Sequence, residues 1–155
     1  MGDLIKIILK DLKVELLDKF DSNFSRGAFF GKKWKPRRDG IPTHLNNTGT
    51  LRRSIRASIS RNAITFSSST PYSAIHNEGG TISVTAKMKR YFWAMFKKTG
   101  RKEYKAMALL KVGTKINIPQ RRFLGPFNGL DKTIERTAKH AIQQELQKIA
   151  TKTKN

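Results

Sequence analysis

An α+β fold, with a small antiparallel sheet flanked by N-terminal and C-terminal helices and a basic inserted arm, follows from three features of this 155-residue chain. Apolar residues recur at spacings of three and four near both ends. In the middle, Ile and Phe alternate with Ser and Thr. Ten basic residues and a single carboxylate, Glu103, fall between residues 87 and 115. The first two patterns are those of amphipathic helices and half-buried strands. The length suits one domain over residues 1–150, with the arm at about 81–118 and a frayed tail at 151–155.

Asp3 to Phe20 sets Ile5, Ile8, Leu9, Leu12, Leu16 and Phe20 at helical spacing, with Lys6, Lys10, Lys13 and Lys19 between them. Leu4, Ile7, Val14 and Leu17 widen the stripe beyond one face, for which core packing is the default explanation ahead of a subunit contact. Asp21 to Leu45 carries Gly27, Gly31, Pro36, Gly40 and Pro42 without a sustained period and reads as a long loop. Trp34 is the side chain such a loop would bury, with Phe29 and Phe30 supporting it. Asn46 to Arg56 starts a short helix, because Asn47 and Thr48 are capable caps and Leu51 and Ile55 lie four apart.

Ala57 to Ser60 and Ala63 to Ser69 form a hairpin, Ile59, Ile64 and Phe66 alternating with polar residues around an Arg61-Asn62 turn. Pro71 to Glu78 gives one or two helical turns stopped by Gly79-Gly80, and Thr81 to Val84 a strand. Lys87 to Lys98 and Lys102 to Lys111 are helix-like on either side of Thr99-Gly100, and Lys115 to Ile118 is a short strand. Asn128 to Ile149 is the clearest helix, with Ile134, Ala138, Ile142, Leu146 and Ile149 on one face and Asp131 and Glu135 near its start.

Composition narrows the function. The hydrophobic fraction is 37%, or roughly 42% when Gly is counted in place of Tyr, below the ~45–50% of globular chains on that counting. A thin core, or help from neighbouring subunits, is the consequence. There is no cysteine, which removes disulfides, thiolate zinc sites and thiol nucleophiles, and three His leave little else for a metal. No apolar run approaches a membrane span, and Met1 to Lys19 is too charged for a signal-peptide core, so no membrane partner and a cytoplasmic site of synthesis are expected.

The formal charge is +21, and its excess begins abruptly. Residues 1–31 hold five basic and five acidic residues, whereas residues 32–62 hold nine basic and one acidic. A chain so basic attracts polyanions, the candidates being nucleic acid, an anionic surface or an acidic protein. Lys87, Lys89, Arg90, Lys97, Lys98, Arg101, Lys102 and Lys105 are the candidate contacts to nucleic acid or an acidic partner. Tyr91, Phe92 and Trp93 lie among them, as single-strand binders require. The spacing of Met88, Phe92 and Met95 or Phe96 favours packing over base stacking.

Signatures of catalysis are missing: no phosphate-cradling glycine loop, no dinucleotide fingerprint, no nucleophile elbow. His76-Asn77-Glu78 is the one place where a His and a carboxylate adjoin. A two-residue offset on a helix points them to different faces, and a buried, hydrogen-bonded His76 in a helix-to-strand corner is the favoured reading. Neither a catalytic residue, a metal site nor a cofactor is assigned.

Four segments occur in order: Phe24 with Gly31, Trp34 and Pro36; Asn47-Thr48-Gly49-Thr50-Leu51-Arg52-Arg53-Ser54-Ile55; Pro71-Tyr72-Ser73-Ala74-Ile75-His76-Asn77-Glu78-Gly79-Gly80; and Pro119-Gln120-Arg121-Arg122-Phe123-Leu124-Gly125. Together they resemble the phage virion morphogenesis family, also described as tail completion proteins and as the Mu-like prophage G-protein family. The resemblance implies a nonenzymatic protein of the phage neck or tail terminus. It would assemble as a ring where DNA passes from head to tail, made in the bacterial host cytoplasm and then carried in the virion. Its partners would be itself, tail-tube or neck proteins and, nonspecifically, DNA. Trp34, Gly49, Leu51, Tyr72, His76, Gly79, Gly80, Phe123, Leu124 and Gly125 carry the motif as structural residues. Gly49 would allow the turn into a helix that Leu51 and Ile55 pin, Gly79-Gly80 a reversal after Tyr72 and Ile75 are buried, and Phe123-Leu124-Gly125-Pro126 an anchor for the final helix. The alternative is a free, sequence-nonspecific nucleic-acid-binding protein. An enzyme such as a small nuclease stands third.

Overall fold

A computed structural model describes residues 2–36, 45 and 48–152. The chain begins with α1 (Gly2–Arg26), longer than the expected 3–20 because the stripe continues: Leu12, Leu16, Phe20 and Phe24 lie four apart and all are buried. The first part of the expected 21–45 loop is therefore helix. It is followed by a tight ribbon of β1 (Ala28–Phe29) and β2 (Lys32–Lys33), paired antiparallel, and then by Trp34. Asp39, Gly40 and Pro42 lie outside the described residues, as does the candidate cap Asn47.

The short helix expected over 46–56 contracts to α2 (Thr50–Arg53). Ile55 and Arg56 belong instead to β3 (Ile55–Ser60), which pairs antiparallel with β4 (Ala63–Ser68) from Ile55↔Ser68 to Ser60↔Ala63. Alternation is the cause. Ile55, Ala57, Ile59, Ile64, Phe66 and Ser68 are half-buried on the face turned to α1, while Arg56, Ser58, Thr65 and Ser67 face solvent. Arg61 occupies the turn with a positive φ of 53°, as two-residue hairpin turns demand.

Next come α3 (Ser73–Glu78) and β5 (Gly80–Ser83), then the helices α4 (Ala86–Thr99) and α5 (Lys102–Leu109), then β6 (Lys115–Ile118). β5 pairs antiparallel with β6, from Gly80↔Ile118 to Ser83↔Lys115. Among the described residues the strands thus form three separate two-stranded antiparallel ribbons rather than one sheet. The mixed helix and strand architecture, with terminal helices around small antiparallel sheets, is the expected class.

The chain closes with α6 (Leu130–Lys152), which packs against α1 and remains helical through residues 151 and 152 of the expected frayed tail. Glu15 meets Arg136 and Thr137, and Asp11 shares a groove with His140 and Gln144, so the two helices run antiparallel. Burial raises the Glu15 pKa, but the Thr137 hydroxyl and the charges of Arg136 and Lys19 outweigh it and hold the carboxyl below its ordinary value. The side of α6 turned inward is Thr133, Thr137 and Ala141, all buried. The aliphatic face that the sequence picks out lies elsewhere on the helix, and its Ile134, Ile142, Leu146 and Ile149 are exposed. Small residues win the contact because they let the two backbones approach. Thr133 Oγ1 donates to the Gly129 carbonyl just before the helix, and Thr137 Oγ1 is shared between the Thr133 carbonyl and the Glu15 carboxylate of α1.

Two apolar clusters result. Phe24, Trp34, Leu51 and Phe123 form one, with Leu45, Ile55 and Leu124 against it. Leu12, Leu16 and Phe20 form the other, with Phe29, Phe30, Ile64, Phe66, Leu124, Phe127 and Leu130. Leu124 belongs to both. Phe29 and Phe30 therefore do not support Trp34: Phe30 stacks on Phe127 at 3.7 Å between centroids, and the indole meets Phe24 and Phe123 instead.

Candidate functional site

The motif segments, far apart in sequence, meet on the strap 121–124. Trp34, buried beside Phe24, donates its Nε1–H to the Arg122 carbonyl at 2.8 Å. The Arg121 N–H donates to the His76 carbonyl at 2.8 Å. Asn77 uses a single oxygen twice, Oδ1 accepting the N–H groups of Phe123 at 2.9 Å and Leu124 at 3.0 Å. Asn23, itself buried, lies within 3.5 Å of the Phe123 carbonyl through Nδ2 and accepts the Phe30 N–H through Oδ1. An extended strap exposes backbone donors that no ladder satisfies, and these side chains supply the partners.

Most of the motif residues are placed by this clasp. Phe123 and Leu51 are buried in the first cluster, and Leu124 bridges both clusters. Gly49 precedes α2 in the left-handed region with φ 68°, and its carbonyl accepts the Arg53 N–H. Gly79 has φ 76°, and a Cβ there would lie 2.8 Å from the backbone nitrogen of Gln120, so the reversal and the close passage of the strap both require glycine. Gly80 opens β5, and Gly125 ends the strap. Tyr72 departs from expectation: it is 41% exposed, its ring meeting His76 edge-on at 5.9 Å, and Ile75 is only half-buried. Tyr72 precedes the first turn of α3, where the ring projects past the body.

His76 also differs in detail. Its carbonyl is bonded, but the buried ring Nδ1 finds no hydrogen-bond partner among the described residues. Burial, and then the positive charge of Arg121, push its pKa below the ordinary imidazole value. Glu78 is exposed on another side of α3. Among the described residues, no three His, Asp or Glu side chains gather in a metal-binding group.

The candidate contact residues all stand on one excursion of the chain. β5 and β6 form its stalk, closed where the Val84 N–H donates to the Thr114 carbonyl and the Gly113 N–H to the Val84 carbonyl, both at 2.9 Å. Beyond the stalk, α4 and α5 pack chiefly on each other among the described helices and strands. Thr85 caps α4 by accepting the Met88 N–H, and Gly100, in the left-handed region, ends it. Phe92 stacks on Tyr104 at 6.2 Å, while Ala108 is buried and Met88, Met95, Phe96 and Met107 are half-buried. Packing is thus the role of the helically spaced aromatics and methionines.

The opposite side of α4 carries Lys87, Arg90, Lys97 and Lys98, which are exposed and form no ion pair among the described residues. Tyr91 and Trp93 flank this arc, 56% and 36% exposed. Lys89 is half-buried at the edge of the packed face. Around the tip and on α5, Lys102 is exposed, Arg101 lies over the Tyr104 ring and bridges to Glu103, and Lys105 lies over the Phe96 ring. The result is a cationic face with aromatic borders, held away from the body on a two-stranded stalk.

Separated segments braced on one strap, with a charged limb built on the β5–β6 ribbon, are what the motif residues and the basic stretch form. The chain belongs to the phage virion morphogenesis family, whose model matches residues 4–147. No curated protein and no solved structure gives a significant match. The family supports a phage structural or morphogenetic role and a place in the virion. Among the described residues, no helix is long and apolar enough to cross a membrane.

Proposed function

We propose that this chain is a nonenzymatic tail completion or head-tail joining subunit, which assembles as a ring at the neck or tail terminus of a phage or prophage virion. The observation that carries the reading is the α4–α5 limb. A free-standing cationic helical hairpin adds little to the body's core, yet concentrates charge that costs self-repulsion unless an anion meets it. DNA traversing the ring, or an acidic neighbouring ring, is that anion. The motif residues act as braces: they hold the strap, and with it the start of α6, in one geometry in every copy. Symmetric assembly needs that uniformity, since small deviations multiply around a closed ring.

Sedimentation and negative-stain imaging of the purified protein, alone and with tail tubes, test this. Closed rings, or tubes capped at one end, are the expected result. A strict monomer at high concentration that also leaves tubes bare would overturn it.

A further inference from the structure

We propose that the exposed apolar edge of α6, built on Ile134, Ile142 and Leu146, is the surface on which a second copy of this chain packs; this rests on the assembly reading above. The edge is distinct from the contact already made within the chain. Thr133, Thr137 and Ala141 are turned to α1, and residues 134, 138, 142 and 146 follow one another at four-residue steps about a quarter-turn away around the helix. Ile134 is 39% exposed, Ile142 40% and Leu146 60%, with Ile149 at 61% continuing the row. A contiguous aliphatic row on a soluble surface marks a contact with another macromolecule.

The charge distribution names the occupant. α1 and α6 together carry ten of the 32 basic and eight of the 11 acidic residues, so this side is close to neutral, and the rest of the chain holds 22 basic residues against three acidic ones. Two copies at +21 repel wherever their basic portions meet, and the α1–α6 side is where they approach at least cost. The acidic residues of α6, Asp131, Glu135 and Glu145, interleave with this row along the helix, so the edge itself carries little net charge. A nucleic acid or an anionic membrane would be drawn to the cationic limb instead, so the neutral apolar edge suits a protein surface as basic overall as this one.

The chain has no cysteine, so Leu146→Cys and, as a control on α5, Leu109→Cys each install a single thiol at an exposed position. Maleimide labelling is timed in dilute monomer and in the assembly, formed at high concentration or on tail tubes. The thiol of Leu146→Cys should react at least tenfold more slowly once assembled, and that of Leu109→Cys at an unchanged rate. A paired variant, Ile142→Glu with Leu146→Glu, should keep the wild-type melting midpoint and weaken self-association at least tenfold. Equal labelling of Leu146→Cys in monomer and assembly, or undiminished assembly of the folded Glu variant, would overturn the α6 contact and leave ring formation standing. Failure of the wild-type chain to assemble either alone or on tubes would overturn both.

Discussion

The indole Nε1–H of Trp34 donates to the Arg122 carbonyl across 88 residues of sequence. The bond joins the segment after α1 to the strap before α6, and the same indole packs on Phe24. Trp34→Ala should therefore cost about 3 kcal/mol or more, the range for emptying a large aromatic site. Trp34→Phe should cost about 1–3 kcal/mol, because much of the packing is kept while the carbonyl loses its donor. Denaturant midpoints check both, and a wild-type midpoint in Trp34→Ala would show the indole to be dispensable for folding.

Asn77 should be sensitive to chemistry rather than to size. Asn77→Leu removes the acceptor for both strap N–H groups and should destabilise by about 1–3 kcal/mol, the cost of a buried donor left unpaired. Asn77→Asp keeps a carboxyl oxygen in place and should retain most of the stability near neutral pH. Equal losses in the two variants, read by thermal melting, would mean that the clasp contributes shape and not hydrogen bonding.

Stability should fall as the pH is lowered through the imidazole range. Burial and Arg121 depress the folded-state pKa of His76, so the unfolded chain binds a proton more readily than the folded one. The neutral-His contribution is fully present above the ordinary value near 6.5 and is lost below it, as the pH falls toward the depressed folded value. Glu15, also depressed, acts in a lower window, below the ordinary carboxylate value. Melting midpoints between pH 7.5 and 5.5 should drop in the wild type and flatten in His76→Gln.

Much of the fold is legible in the sequence because its elements declare a period. Ile59, Ile64 and Phe66 place the β3–β4 hairpin, and Gly100 ends α4 where the sequence breaks the two basic helices. What is hidden is contact made by residues without an apolar signal. α6 meets α1 through Thr133, Thr137 and Ala141, so a reading that follows large aliphatic residues selects the wrong side of the helix. Asn77 gives no periodic signal at all, since its importance lies in two backbone donors more than 40 residues away. The exposed Tyr72 is missed for the converse reason: a large aromatic next to a helix is taken as core unless the chain's exit direction is known. The cationic limb was visible as a charge cluster, while its isolation on the β5–β6 stalk required the strand pairing.

The most direct measurement is the binding of several unrelated duplexes and single strands across low to moderate salt, by the wild type and by a variant with Lys87, Arg90, Lys97 and Lys98 changed to Gln. These four side chains are exposed and solvated, so folding and ring formation should persist in the variant. Wild-type binding should be indifferent to sequence and should collapse with salt, because each neutralised phosphate releases counterions, and the logarithmic salt slope should fall by about one per contact removed. Sequence-selective binding retained at moderate salt by a monomer would identify a free nucleic-acid reader and contradict the virion assignment of the limb.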